Sequence, residues 1–349
     1  MTELVIWAQS ICRSTMSLYR EAKRQANVPV TVVVRQSVHG RCARQLRERQ
    51  GQGADEFADV VDVEWDGGLE TGRSILVSHV GEGVVHVFSG YQVCAVVREL
   101  IREAHAKGCR VAEYDEAPCE MCLGVKAWLK RLYYRWWLPR KVGGVTRTAD
   151  VFLNACGRMG SERLLRLGWT KEKIVPFGYA SAGIENSERR APHEGCLRIL
   201  HTGEEKTYRG VETLERAVEI LRQRGIKVSL ERTAGRVPAA EMPRLYGWAD
   251  VFVACGFCEP WGMRVNDAIH AGLPVIVSSG MGVEWLVAQS GCGCVYEKGR
   301  PWDLAKCLER FATDGNFRRN LMMGVSAAHA AWLPEARAKV LMDILRRCR

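Results

Sequence analysis

Long apolar runs are missing from this 349-residue chain. A membrane-spanning helix needs about 20 consecutive apolar residues, and the apolar stretches here stay short, as at 251–255. The N-terminus carries Glu3 where an export signal would be positive, and the apolar stretch 4–8 is too brief for a signal core. That stretch reads as a first buried strand, and the expected location is cytoplasmic. Internal repeats and low-complexity tracts are also missing. The 47% hydrophobic and 26% charged residues are globular proportions, which excludes a disordered chain, a collagen, a coiled coil and a small disulfide scaffold. The chain is too long for one compact core and fits two domains of roughly 150–200 residues.

There are 14 cysteines, and in a reducing compartment disulfides are not expected. Two CxxC spacings occur, Cys119 with Cys122 and Cys255 with Cys258, beside the near-miss Cys292 and Cys294. A structural zinc site needs two such pairs at suitable separation. These lie more than a hundred residues apart with no nearby histidine to complete either, so no metal is expected. The thiols read as small buried hydrophobes.

Valine- and isoleucine-rich runs recur at 4–8, 30–34, 60–64, 84–89, 109–114, 149–155 and 173–178. Helical patterns separate them, notably 14–25 and 91–107, the latter stopped by Gly108. Such alternation implies a parallel sheet covered on both faces. Periodicity fades over 178–196, which reads as an inter-domain connection. It then resumes, with strands at 197–201, 227–232, 249–254, 274–278 and 293–296 between helices. The fold class is therefore α/β, two Rossmann-like doubly wound domains. We place them at 1–185 and 186–333, with a last helix at 334–349 packing back toward the first domain. Ligands bind outside the carboxyl ends of such strands, so the cleft between the domains is the expected site.

The segment 256–277 carries the chemistry. A strand ends near Cys255, a loop with Gly256, Pro260 and Gly262 follows, and a helix starts near Met263. Free amides at a helix start suit an anion or a hydroxyl-rich ligand. Glu259 precedes the helix and Asp267 lies in its second turn, so both can line one side of a cleft and accept paired sugar hydroxyls. Spacing alone leaves open that Glu259 merely caps the helix and Asp267 is a solvated surface residue.

Glu259 and Asp267, with seven residues between them in this segment, resemble the E-x7-E signature of glycosyltransferase family 4. These are retaining, nucleotide-sugar-dependent enzymes of the GT-B fold. The flanks are similar too: 250–253, 268–275, 282–284, 291–296 and 303–305. The resemblance covers nearly all of 197–345. It implies that Glu259 contacts donor-sugar hydroxyls and Asp267 the ribose, with Asp267 one methylene shorter than the family's glutamate. It implies that amides around Gly262 and Met263 meet the sugar and diphosphate. The segment 202–210 resembles the family's glycine-rich strand end at Gly203. There Arg209 matches a lysine, and Glu204 stands where arginine is usual, leaving Lys206 as the second cation. The base would lie near Val237. The donor is a nucleotide-diphosphate sugar, with no further cofactor and no metal implied.

In the first half the strand at 110–115 ends in Asp115 and Glu116, one of which is expected to orient or deprotonate the acceptor hydroxyl. An ordinary solvated strand end is the alternative. The loop 9–14 lacks the glycines that many relatives carry there, though Ser10 and Arg13 remain as anion contacts. The segment 153–178 resembles the close of the first domain in bacterial envelope-glycan members.

Acid is absent from 121–149, which holds seven cations, a large share of the net +10. On a helical wheel Trp128 and Trp136 share a face, while Lys126, Lys130, Arg131 and Arg135 lie mostly off it. A basic helix with such a face suits an anionic membrane surface at the inner membrane face. Packing of that face on the domain, or contact with nucleic acid, are the alternatives. The expected activity is transfer of a sugar to a lipid-linked glycan or a lipopolysaccharide or capsule precursor. The rivals are a transferase acting on modified DNA bases and a non-catalytic nucleotide-sugar-binding protein.

Overall fold

The computed structural model describes residues 1–35, 54–181, 195–203, 207–233 and 237–347. Among these, two parallel sheets of seven and five strands form. The first contains β1 (Glu3–Ala8), β2 (Val30–Arg35), β3 (Val63–Trp65), β4 (Val84–Phe88), β5 (Arg110–Asp115), β6 (Val151–Asn154) and β7 (Ile174–Pro176). The second contains β8 (Leu197–Thr202), β9 (Val228–Thr233), β10 (Val251–Ala254), β11 (Val275–Ser278) and β12 (Gly293–Tyr296). Both are doubly wound, in the orders 3-2-1-4-5-6-7 and 12-11-10-8-9. The strand order reverses between β1 and β4 in one sheet and between β8 and β10 in the other, and ligands bind at such points.

Side chains alternate across each strand. In β1, Leu4 and Ile6 enter one core and Val5 and Trp7 the other, so both faces of the first sheet are covered. One of these cores is completed by the chain's last helix, Pro334–Arg347. It lies along the helix Arg13–Gln25 and contributes Ala338, Leu341, Met342 and Leu345. Arg337 fixes the crossing: it donates to the Phe177 carbonyl at 2.6 Å and stacks over the Phe177 and Trp332 rings. The expected domain boundary at 185/186 lies outside the described residues.

Two expectations need correction. The helix expected at 91–107 begins at Ala95, because 91–93 form turns in which Val93 and Cys94 bond back to Gly90. The basic segment is not one regular helix either. Gly124–Leu132 and Leu138–Thr148 are α-helical, but Tyr133–Trp137 is a π turn. Pro139 explains the widening: a mid-helix proline lacks its N–H and crowds the carbonyl four residues back. Leu138 instead reaches back five residues to Tyr133 O. No described helix is long and apolar enough to cross a membrane.

Candidate active site

The loops after β8 and β10 meet at the switch point of the second sheet. Phe257 N donates to Tyr208 O at 2.7 Å, stitching them together. Gly210 permits the approach: it sits at φ +67°, and a Cβ there would lie 2.0 Å from Cys255 O. This brings Arg209 and Glu259 together, with Arg209 Nη1 donating to Glu259 Oε1 at 2.6 Å. The Glu259 backbone is pinned as well, N to Gly280 O and O to Gly282 N, both at 3.0 Å. Gly262, at φ +114°, then turns the chain into the helix Met263–His270. The first amides of that helix, around Gly262 and Met263, have no intrahelical acceptor.

Arg264, in the first turn, is a site residue that carried no signal beyond its place beside Gly262. Gly203 lies against it, such that a Cβ there would sit 3.0 Å from Arg264 Nη1. That nitrogen is buried without a hydrogen-bond partner, as are Arg209 Nε and His201 Nε2. His201 Nδ1 donates to Val253 O at 2.8 Å, and burial holds the ring's pKa down to about 4. His201 is thus neutral, with a bare Nε2 acceptor. Arg264 is pushed down from its ordinary value by burial and by the neighbouring Arg209 charge. Unpaired buried guanidinium nitrogens at a strand's carboxyl end suit an anionic ligand.

Asp267 lies one helical turn on and accepts from Ser181 Oγ at 3.0 Å. Burial raises its carboxyl to about 6, against the opposing pull of Ser181, Arg264 and, from the first domain, Arg13. Val237 is half-buried against the core around Tyr246 and Val265. Lys206 lies outside the described residues.

From the first domain, Asp115 and Glu116 follow β5. Asp115 is engaged by backbone: it accepts from Gly90 N at 3.2 Å and Glu116 N at 2.8 Å, and burial lifts it to about 7. Glu116 accepts from the Tyr179 hydroxyl at 3.2 Å. Burial raises the Glu116 carboxyl, and the charge of Glu259 in the other domain adds to the rise. Glu113, on the same strand, is fully buried with neither oxygen paired, and desolvation keeps it protonated well above its ordinary range.

The domains close tightly here. Gly178 lies against the Trp261 ring, and Gly157 against Trp285 and Trp261. Among the described residues the pocket holding His201, Arg209, Glu259 and Arg264 has only about 20 Å³ of free space, which suits a water or two rather than a drug-sized ligand. A larger hollow of about 610 Å³, lined by Leu197, Lys227 and Asp250, sits at the amino ends of the strands, the wrong end for this chemistry.

The thiol expectation changes most. Sequence distance does not separate the CxxC segments in space: Cys119 and Cys258 Sγ are 3.0 Å apart across the cleft. With Glu120 they form a trio whose ligand atoms lie within 4.8 Å of one another. Glu120 is already claimed, by Arg131 Nε at 3.2 Å and Arg163 Nη2 at 2.9 Å. Of the basic segment's cations, Lys130 and Arg131 turn to Glu120, Lys130 Nζ reaching the Glu120 carbonyl at 2.6 Å. Lys126 is exposed, and Arg135 stacks on the Trp136 ring. Trp128 and Trp136 are 56% and 49% exposed, so the aromatic face is not packed on the domain; Ala127, Leu138, Val142 and Val145 are.

Residues 198–323 match the family described as glycosyl transferases group 1. No curated protein matches the chain in sequence. Among solved structures, Anabaena HepE in complex with UDP is similar at a TM-score of 0.65 and 14% identity, covering 99% of this chain and 100% of its own. The lipopolysaccharide outer core galactosyltransferase WaaB, in apo form, is similar at 0.66 and 10%, covering 99% of each chain. Sucrose-phosphate synthase from Thermosynechococcus elongatus is similar at 0.61 and 13%, also covering 99% of each. The two sheets match the GT-B arrangement of these neighbours. The family match and the shared fold together support a glycosyltransferase enzyme.

Proposed function

We propose that this chain is a retaining glycosyltransferase of family 4. It would move a sugar from a nucleotide-diphosphate donor to a hydroxyl of a lipid-linked glycan or envelope-polysaccharide precursor. The observation that carries the reading is the meeting of Arg209, Glu259 and Arg264, whose Nη1 is unpaired, at the β8/β10 switch point, with the Glu259 charge felt by Glu116 of the first domain. Breaking the bond between sugar and diphosphate places negative charge on the departing phosphate. Arg209, Arg264 and the amides at Gly262 and Met263 would stabilise that charge. Glu259 would hold donor-sugar hydroxyls and Asp267 the ribose. Glu116, steadied by Tyr179, would orient the acceptor hydroxyl, and Asp115 would hold the turn that presents it. Attack on the face that the diphosphate leaves keeps the anomeric configuration. HepE was solved with UDP and with UDP-glucose, so uridine nucleotides are the first donors to try.

Support for a membrane-borne acceptor comes from the basic segment. Val125, Trp128, Leu129, Trp136 and Trp137 are all exposed among cations. Tyr133, Trp136, Trp137, Arg140 and Lys141 line a surface hollow of about 630 Å³, large enough for a lipid headgroup. The test is turnover of a nucleotide-sugar panel, with Glu116→Gln and Glu259→Ala beside the wild type, and with glycolipid-bearing vesicles or duplex DNA supplied as acceptor. Transfer to the vesicles that fails in both variants supports the reading. Transfer to DNA, or turnover untouched by Glu259→Ala, overturns it.

A further inference from the structure

Cys119 and Cys258 come from the two CxxC segments that the proposed chemistry leaves unused. Cys119 follows Asp115 and Glu116 on the first domain, and Cys258 immediately precedes Glu259 on the second. Their sulfurs are 3.0 Å apart, and both residues are partly exposed. Cys156 and Cys255, by contrast, are buried. A metal does not explain the pair. Two thiolates on one tetrahedral zinc, with bonds of about 2.3 Å, stand about 3.7 Å apart, and the neighbouring carboxylate of Glu120 is already neutralised by Arg131 and Arg163.

We propose that Cys119 and Cys258 are a reversible oxidation site: a peroxide converts them to a disulfide that ties the two domains together and shuts the candidate active site. The effect on turnover rests on the glycosyltransferase reading; the crosslink itself does not.

The chemistry balances with hydrogen peroxide as oxidant. The Cys258 thiolate attacks one peroxide oxygen, the O–O bond breaks, and hydroxide leaves and takes a proton to become water. This gives a sulfenic acid at Cys258. The Cys119 sulfur then attacks that sulfur, the S–O bond breaks, a second water leaves and the S–S bond forms. Two thiols lose two electrons in total, and a dithiol reductant returns them. Hydrogen bonding from the Cys119 thiol holds Cys258 below the ordinary thiol range, which favours it as the attacking thiolate.

Closure follows from the geometry of the cleft. The pocket around Arg209 and Glu259 is lined by the second domain alone, while Asp115 and Glu116 follow β5 of the first, so a donor and an acceptor held by these two sets enter between the domains. Cys119 follows Glu116 on one side of that entry and Cys258 precedes Glu259 on the other, so a covalent bond between them opposes separation of the domains.

The test uses the full chain, reduced, desalted, treated with hydrogen peroxide, alkylated and digested with trypsin without reduction. We expect peptide 111–126 linked to peptide 245–264, with the link lost in Cys119→Ser. Amide exchange at 115–119 and 256–262 should slow on oxidation and recover with dithiothreitol. Donor turnover should fall by about tenfold or more on oxidation, recover with dithiothreitol, and survive the same treatment in Cys119→Ser. The Cys294 and Cys307 thiols, which hydrogen-bond each other, are the control: absence of the Cys119–Cys258 link under peroxide that oxidises them overturns the proposal. So does stoichiometric zinc that shields these thiols, or a link that changes neither exchange nor turnover. A chain that forms the link with slowed exchange but turns over no donor fails the enzymatic reading alone.

Discussion

Arg209 Nη1 stands 2.6 Å from Glu259 Oε1, with the two side chains 19% and 14% exposed. One charge follows β8 and the other follows β10, so the pair spans the switch point of the second sheet. Removing one partner strands the other charge in a largely buried place, which costs more than the pair itself contributes. Glu259→Ala and Arg209→Ala should each lower the melting temperature. The double variant should recover much of that loss, because neither charge is then left alone. Turnover should behave differently: each single variant should lose about 10²–10³-fold, and the double variant should recover none of it. Thermal melts beside donor hydrolysis read both. A double variant with restored turnover would mean that the pair is structural.

Arg264 makes the opposite kind of prediction. Its Nη1 is buried against Gly203 without a partner, so the unliganded fold carries an uncompensated cost. Arg264→Met keeps the stem and removes the charge. The unliganded variant should melt higher than the wild type, while UDP-sugar binding weakens by about 10- to 100-fold. The thermal shift on adding UDP should shrink accordingly. A variant that melts lower yet responds normally to UDP would show Arg264 to be a packing residue.

Asp115 gives the chain a pH signature. Burial lifts its carboxyl to about 7, against about 3.9 in an unfolded chain. Between those values the folded chain keeps a proton that the unfolded chain has released. Stability from this group is therefore full below about pH 4 and declines as pH rises through about 7. Asp267, raised to about 6, adds to the same decline at slightly lower pH. Asp115→Asn should flatten the part of the curve nearest neutrality. Melting temperatures from pH 4 to 8 test this, and a parallel curve in the variant would refute the assignment.

Most strands were readable to within a residue or two, because parallel strands covered on both faces need continuous β-branched runs, as at 251–253 and 275–277; of the run expected at 60–64 only 63 and 64 join a strand, Val63–Trp65. The helix Leu69–Val77 was not readable, since Gly72 breaks its pattern and its apolar face is short. Glu259, Asp267 and Arg209 were visible as spacing within one motif. Arg264 was not, because a first-turn arginine looks like any solvated cation until Gly203 folds against it. The Cys119–Cys258 approach was hidden for a similar reason: it exists only once two separately folded sheets close on each other. The basic segment was half legible. Its composition was plain, but the π turn ahead of Pro139 shifts the faces that a regular wheel assigns.

That shift has a measurable consequence. A wider turn at Tyr133–Trp137 leaves Trp137 65% exposed beside Trp136, with Arg140 and Lys141 at the rim of the same hollow. Tryptophan favours the membrane–water interface, and each cation near an anionic surface adds about 1 kcal/mol at moderate salt. Wild-type protein should co-sediment with phosphatidylglycerol-containing vesicles and be released as salt rises. Trp136→Ser with Trp137→Ser should weaken binding at every salt concentration, since it removes the apolar contribution. Arg140→Gln with Lys141→Gln should instead flatten the salt dependence. Neither pair touches the core, so both variants should melt like the wild type. Vesicle binding unchanged in both, or equal binding to vesicles of neutral lipid alone, would rule this surface out as an anionic-membrane dock.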